Sequence, residues 1–460
     1  MTSIKRKAEG NVANPTVWLV LFSVLVGSIF FFAPIIVDDK VNLQWVGTTI
    51  RDAWDWSVIS YQRWSSRIFI YFIGSIVLQK GSFALGLYMI VSMFVFVKAM
   101  VLLFPNLTRK ELLPFLFACV LFFPYSTQYT AGWIATLTSY FGPHAFAIMA
   151  LVPIKKAVDK NKVGILEFLF YAVCLIYGAN AEQMCVVLVV VYGICTIYLA
   201  VKKEWSFIIL LLFLIAIASL VSILVCPGNG NRTMAEEANN FPTYGMLHMI
   251  DKADIGISTT LKWFFNNNRL IVLFCSVLIV LVWTKYDHVM YRMIALIPML
   301  ATLSFGPLKN IAKHMFSNFM TLTQDVDYYG AFNAASMGAG AGPIQFAFNL
   351  FLMLCICLTV IMLNDTVKGL IVDLTLLIMG FVSRIIMGYS PTIYVSSTRT
   401  YTSLMVCVMV VLLHLLVTNQ YRITKNDTML RKENIMQLGC ILSVFGYIDL
   451  LLMVVTVRIG

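Results

Sequence analysis

Charge is what this chain has least of. Asp, Glu, Lys and Arg make up 12% of its 460 residues, against about a quarter in an ordinary soluble domain. Hydrophobic residues make up 60%, and the mean hydropathy is +0.86. That balance excludes a soluble globule. Histidine is scarce, with 5 in the chain, and the 10 cysteines mostly lie singly in apolar runs, Cys355 and Cys357 being the nearest pair. Neither a zinc-binding spacing nor a disulfide framework appears. No internal repeat is visible, which weighs against a transporter built from inverted repeats. Acidic residues are outnumbered, 22 to 33, for a net charge of +11. A nucleic-acid partner would suit that excess, but the placement excludes it. Lys and Arg cluster in short runs between apolar segments, as in the cytoplasmic loops of a membrane protein.

What the chain does have is apolar runs of spanning length. Residues 15–36 are almost unbroken Val, Leu, Phe and Ile, and about 20 such residues cross a bilayer as a helix. This segment is too long for a signal-peptide core and lacks a small-residue cleavage site, so it reads as a retained span. Further segments fall at 83–104, 112–124, 141–155, 163–179, 184–201, 206–226, 268–284, 290–306, 343–363, 367–387, 402–418 and 436–457, while 68–79 reads as interfacial or a half-span. The expectation is an all-α polytopic bundle of about 11–13 spans. The same reading makes it one integral membrane domain over residues 1–460, multi-pass and in contact with membrane lipids. Lys5, Arg6 and Lys7 put the tail 1–16 in the cytoplasm by the bias of basic residues. Alternation then puts 37–67 outside as a first loop with short interfacial helices, together with the large loops 227–267 and 307–342 and the shorter 125–140 and 388–401.

Five polar constellations fall on that outer face or its membrane edge. The first joins Asp38 and Asp39 at the mouth of the first span to Trp64-Ser65-Ser66-Arg67. Thr136 to His144 forms the second, at a helix entrance. The third is Asn180-Ala181-Glu182-Gln183, a polar break between apolar segments. Cys226-Pro-Gly-Asn-Gly-Asn-Arg232, with Asn229 inside it, is the fourth. Last comes Tyr389 to Tyr401, with Tyr394 and Arg399. Each has a plain structural reading. Asp38 and Asp39 are acidic residues at a helix end, Pro227 to Gly230 is a turn by composition, Glu182 caps a helix, and Arg399 snorkels. Inside apolar runs, Asp373 and Asp449 read as structural glue, while Arg384 lies near enough the outer boundary to meet a lipid phosphate. Taken together, carboxylates, arginines and amides on one face suit a substrate with a phosphate and a hydroxyl-rich part.

The order DD, W-S-S-R, N-x-E-Q, P-G-N-x-x-R and a late Y-x-P-x-x-Y…R-T resembles the bacterial DUF6056-type polytopic proteins, related to GtrII-like and other GT-C membrane glycosyltransferases. The likeness runs from Asp38 to Tyr401, with Ser66 where relatives often have Gly. It implies a GT-C-like fold and transfer of a sugar from a polyprenyl-phosphate donor to a cell-surface glycan or lipid-linked acceptor outside the cytoplasm. It also implies a catalytic base at Asp38 or Asp39. Substrate contacts would come from Trp64, Arg67, His144, Asn180, Glu182, Asn229, Arg232, Tyr394 and Arg399. Arg232 and Arg399 would hold the donor phosphate, with Arg67 and Arg384 in reserve. A divalent cation (Mg²⁺ or Mn²⁺) on the Asp pair is an open alternative. A lipid-linked glycan flippase and an O-antigen-type polymerase are the competing functions.

Overall fold

Pro15 opens the first helix, where its missing N–H is no loss. Pro15–Ser28 then runs into the 3₁₀ turn Ile29–Phe32, giving an 18-residue apolar span. The computed structural model describes residues 12–266, 268–324, 328–338, 340–425 and 432–459. The basic flank Lys5 to Lys7, on which the cytoplasmic placement of the N-terminus rests, lies outside them. Among the described residues every regular element is helical. A helix satisfies all its backbone groups internally, which is what a segment in lipid must do. Among the described residues nine helices are long and apolar enough to cross a membrane, or up to eleven if two sharply bent pairs each count as one span. The chain is a multi-pass membrane protein by that measure.

The segments expected at 112–124 and 163–179 are shorter than a span. Leu113–Leu121 and Ile165–Gly178 are helices of 9 and 14 residues. The loop expected at 125–140 is another difference. It contains the helix Trp133–Ser139, which opens an apolar stretch, Trp133–Val158, that is mostly buried within the protein. The expected loop 227–267 is likewise largely helical, with Pro227–Asn240 and Met249–Phe265. So is 307–342, with Lys309–Met315, Ser317–Gln324 and Ala334–Gly338.

The first loop holds the short helix Asp38–Asn42 and the amphipathic helix Ile50–Arg63, started by a capping box in which Thr49 and Asp52 satisfy each other's backbone N–H. Its exposed aromatics include Trp45 and Trp54, and Trp45 stacks on Trp56 at 6.1 Å. Residues Ile68–Leu103 are two helices joined at Gly81, whose φ of 68° and ψ of −153° break the ladder. Only glycine enters that region without strain. The break agrees with the separate reading of 68–79 and 83–104. It is braced from both sides, as Gln79 donates to the carbonyls of Val46 and Thr49 and Ser82 to that of Ala33.

The chain divides into two compact units. The first comprises residues up to 121, 125–234 and 433 onward, and the second comprises 122–124 and 235–432.

Candidate functional site

The first unit brings four of the five constellations together. Arg67 follows the turn Trp64-Ser65-Ser66 and precedes the helix it helps to start. Its Nε donates to both carboxylate oxygens of Glu182, at 3.0 and 2.8 Å, and its Nη2 lies 2.7 Å from Oε2. Ser66 Oγ adds a third donor to Glu182 at 3.0 Å. Two residues earlier Asn180 ties the same turns: its Oδ1 accepts the Ile70 N–H and its Nδ2 donates to the Ser66 carbonyl. The W-S-S-R and N-x-E-Q motifs are thus one structure. Glu182 is the ion-pair partner of Arg67 as well as a first-turn acid.

Arg232 joins them from the helix Pro227–Asn240, its guanidinium 5.8 Å from the centre of the Trp64 ring. The expected turn at Pro227 to Gly230 is the first turn of this helix. It is anchored by Cys226 Sγ to the Tyr61 carbonyl, by Tyr61 Oη to the Ser222 carbonyl, and by Asn229 Nδ2 to the Ile223 carbonyl. Asn229 therefore bonds to the preceding helix. Arg67 and Arg232 both act electrostatically on Glu182 and on Tyr71. Two guanidinium groups facing one carboxylate leave this cluster with a net charge of +1.

The carboxylate pair divides. Asp39 is fully buried, and its oxygens accept the backbone N–H groups of Ile134 (3.1 Å) and Ala135 (2.8 Å). It caps the helix Trp133–Ser139 from 95 residues upstream. Gly132, at φ 97°, makes room for it, because a side chain there would meet the Asp39 carboxylate at 2.6 Å. Burial pushes the Asp39 carboxyl up from 3.8 to about 6; the N–H bonds of Ala135 and Ile134 pull it back, and Asp38 adds to the rise. Asp38, by contrast, is exposed. Before the pair stands Val37 at φ 47°, a strained conformation for a β-branched residue that turns the chain sharply out of the first span.

The capped helix leads to Tyr140, whose ring lies 5.3 Å below the Arg67 guanidinium. Tyr140 and Gly132 are contributors that sequence reasoning missed. Tyr140 stands inside the Thr136 to His144 stretch, and a Gly ahead of an apolar helical run was the available signal for Gly132. His144 is buried one turn further on, its Nδ1 2.5 Å from the Tyr140 carbonyl.

The fifth constellation belongs to the second unit. Tyr394 stacks on Tyr328 at 4.3 Å, bonds to its carbonyl and packs against Phe241. Arg399 Nη2 reaches the Val395 carbonyl at 3.5 Å. Asp373 is paired there as well, with His414 Nδ1 at 2.7 Å and Asn364 Nδ2 at 2.8 Å.

Asp39 being committed to backbone amides, Asp38 would be the remaining carboxylate of the pair for Mg²⁺ or Mn²⁺. Among the described residues no group of three or more His, Cys, Asp or Glu side chains gathers at metal-binding distance. A dedicated all-protein cage for a divalent cation is thus not seen among them, whereas a Mg²⁺ held by one carboxylate, waters and a substrate phosphate would need no such group. Comparison with family models, curated proteins and solved structures finds no match.

Proposed function

We propose that the chain is a GT-C-type membrane glycosyltransferase that takes a sugar from a polyprenyl-phosphate donor and passes it to a glycan or lipid-linked acceptor outside the cytoplasm. One observation carries the reading. Ser66, Arg67, Glu182 and Arg232 come from far apart in sequence, yet they build a single cationic cluster beside Tyr140 and Trp64. A net positive, aromatic-walled cluster at the ends of membrane helices suits a phosphate joined to a sugar.

The short turn that carries Asp38 and Asp39, and the cluster, lie at the two ends of the helix Trp133–Ser139. From Ile134, which Asp39 caps, to Tyr140, under Arg67, the helical rise is roughly 9 Å at ~1.5 Å per residue. A base, an acceptor oxygen, an anomeric carbon and a phosphate held by a guanidinium also need on the order of 10 Å. Each step in that row is about 3 Å. In this reading Asp38 takes the proton of the acceptor hydroxyl as its oxygen bonds to the anomeric carbon. The bond from that carbon to the phosphate oxygen breaks, and the electron pair leaves on the polyprenyl phosphate. Arg232 meets the charge developing there. Arg67, already paired, positions the cluster.

The test is turnover by the purified protein in detergent, with a panel of labelled polyprenyl-phosphate hexoses, with and without EDTA. Transfer or hydrolysis of at least one donor, lost in Asp38→Asn, is the expected result. No turnover of any donor, together with movement of intact lipid-linked glycan across vesicles, would favour a flippase.

A further inference from the structure

The second unit buries a cation that its own side chains do not match. Arg384 lies in the last turn of the helix Val367–Ile385 and is 2% exposed. Its Nε and Nη1 are buried with no hydrogen-bond acceptor. The Tyr401 ring faces the guanidinium at 4.4 Å, with the Tyr401 hydroxyl given to the Thr259 carbonyl and the Trp263 ring tilted against it at 3.8 Å. The helix end itself favours a cation in its last turn. The Tyr401 hydroxyl is within hydrogen-bonding reach of the guanidinium, but one neutral partner and the helix end are small beside the cost of removing a guanidinium from water without an anion.

A second orphan stands at the same end of this unit. Gln345 is fully buried one turn into the helix Ala341–Leu363, and both its amide oxygen and its amide nitrogen lack partners. This helix and Val367–Ile385 are joined at their other ends by residues 364–366 and pack against one another. The start of the first and the end of the second therefore share a level. Unsatisfied buried polar groups are rare, and each calls for an unseen partner. Here a guanidinium and a carboxamide at one level are each left with a polar partner to find.

We infer that this end of the second unit is a binding site for a phosphate group carrying a single negative charge, with Arg384 as its anchor and Gln345 as a neutral donor. A guanidinium fork pairs with phosphate through two parallel N–H bonds. One cation matches one monoanion. The end of an apolar helix is also the depth at which a bilayer presents phosphodiesters. The segment that follows Arg384, 386–401, is made of the 3₁₀ turns Ile386–Tyr389 and Ser397–Tyr401 joined by turns, with no continuous helix. This site is separate from the cluster in the first unit, and it does not rest on the glycosyl-transfer reading.

The experiment uses the full chain in a neutral detergent and follows thermal unfolding against three probes: inorganic phosphate, dioctanoylphosphatidylglycerol and uncharged dioctanoylglycerol. A saturable rise in Tm with a phosphate-bearing probe is expected in the wild type and in Arg232→Ala. In Arg384→Met the apparent affinity should fall at least tenfold, while the ligand-free Tm does not fall, because an unmatched charge has been removed. Should Arg384→Met fail to fold, Arg384→Lys serves, keeping the charge, losing the fork and weakening the response severalfold. A response to inorganic phosphate assigns the site to free phosphate, and a response to the lipid alone assigns it to a headgroup. Equal responses in the wild type and the Arg384 variants would overturn the inference. So would a response lost only in Arg232→Ala, one shared by dioctanoylglycerol, or none to any probe.

Discussion

An aspartate whose two oxygens already accept the N–H groups of Ile134 and Ala135 has little left to offer a substrate. Its neighbour Asp38 is exposed. On the proposed reaction, Asp38→Asn lowers turnover by about 10²-fold or more, the scale of a positioned general base, and leaves the thermal midpoint unchanged. Asp39→Asn lowers the midpoint instead. The pH dependence carries a sign. The folded-state pKa of Asp39 is raised from 3.8 to about 6, so its contribution to stability is fully present below about pH 4 and is lost as pH rises through about 6. The stability of the wild type relative to Asp39→Asn should therefore shrink by roughly 2–3 kcal/mol over that window and stay flat above it. Denaturation at a series of pH values measures this, and a constant difference would remove burial as the governing effect. The arginines separate in the same way. Glu182 already fills the fork of Arg67, so Arg67→Lys and Glu182→Gln should show a coupling energy of about 1–3 kcal/mol in a double-mutant cycle. Arg232→Lys should spare the midpoint and raise the apparent KM for the donor, because lysine keeps the charge and loses the planar fork. An unchanged KM would leave Arg232 as an interface anchor over Trp64.

At the scale of elements, two glycines hold the first unit in shape. Gly81→Ala should cost more than about 1 kcal/mol, since an L side chain at φ 68° is strained whatever surrounds it. Gly132→Ala adds a clash with the Asp39 carboxylate to a φ of 97°, so unfolding of the two variants should rank Gly132→Ala as the more damaging. Apolar runs alone were enough to read most spans and the break near Gly81, because hydropathy and length decide what can cross a bilayer. They did not reveal the helix Trp133–Ser139. Its Thr and Ser look like loop residues, but a helix covered by its neighbours has no need to be apolar. The site was legible as a set of residues: Arg67, Asn180, Glu182 and Arg232 could all be named. Their pairing was not, because spacing along the chain does not say which turn meets which across more than a hundred residues.

At the scale of the whole molecule, topology is the claim with most resting on it. In a Cys-depleted background, Met246→Cys, 81% exposed, should react with an impermeant thiol reagent in intact cells. Labelling only after permeabilisation would invert the orientation and end the extracytoplasmic reading. Membrane character and an all-helical build could be anticipated from composition, whereas the 11–13 spans expected exceed the nine to eleven found among the described residues, and the division into two units could not be read, because apolar spans carry no mark of the partners they choose. The long reach of the Asp39 cap also sets an order of assembly. The helix that Asp39 caps follows it by 95 residues, and a ribosome adding roughly 5–20 residues per second needs about 5–20 s to make that stretch. For that interval the nascent first loop holds Asp38 and Asp39 in water, both ionised at neutral pH, a hydrophilic stop that keeps the first span from sliding further. The clasp closes only when Ile134 and Ala135 emerge, and Asp39 then leaves the solvent. The first span is thus threaded early and locked late.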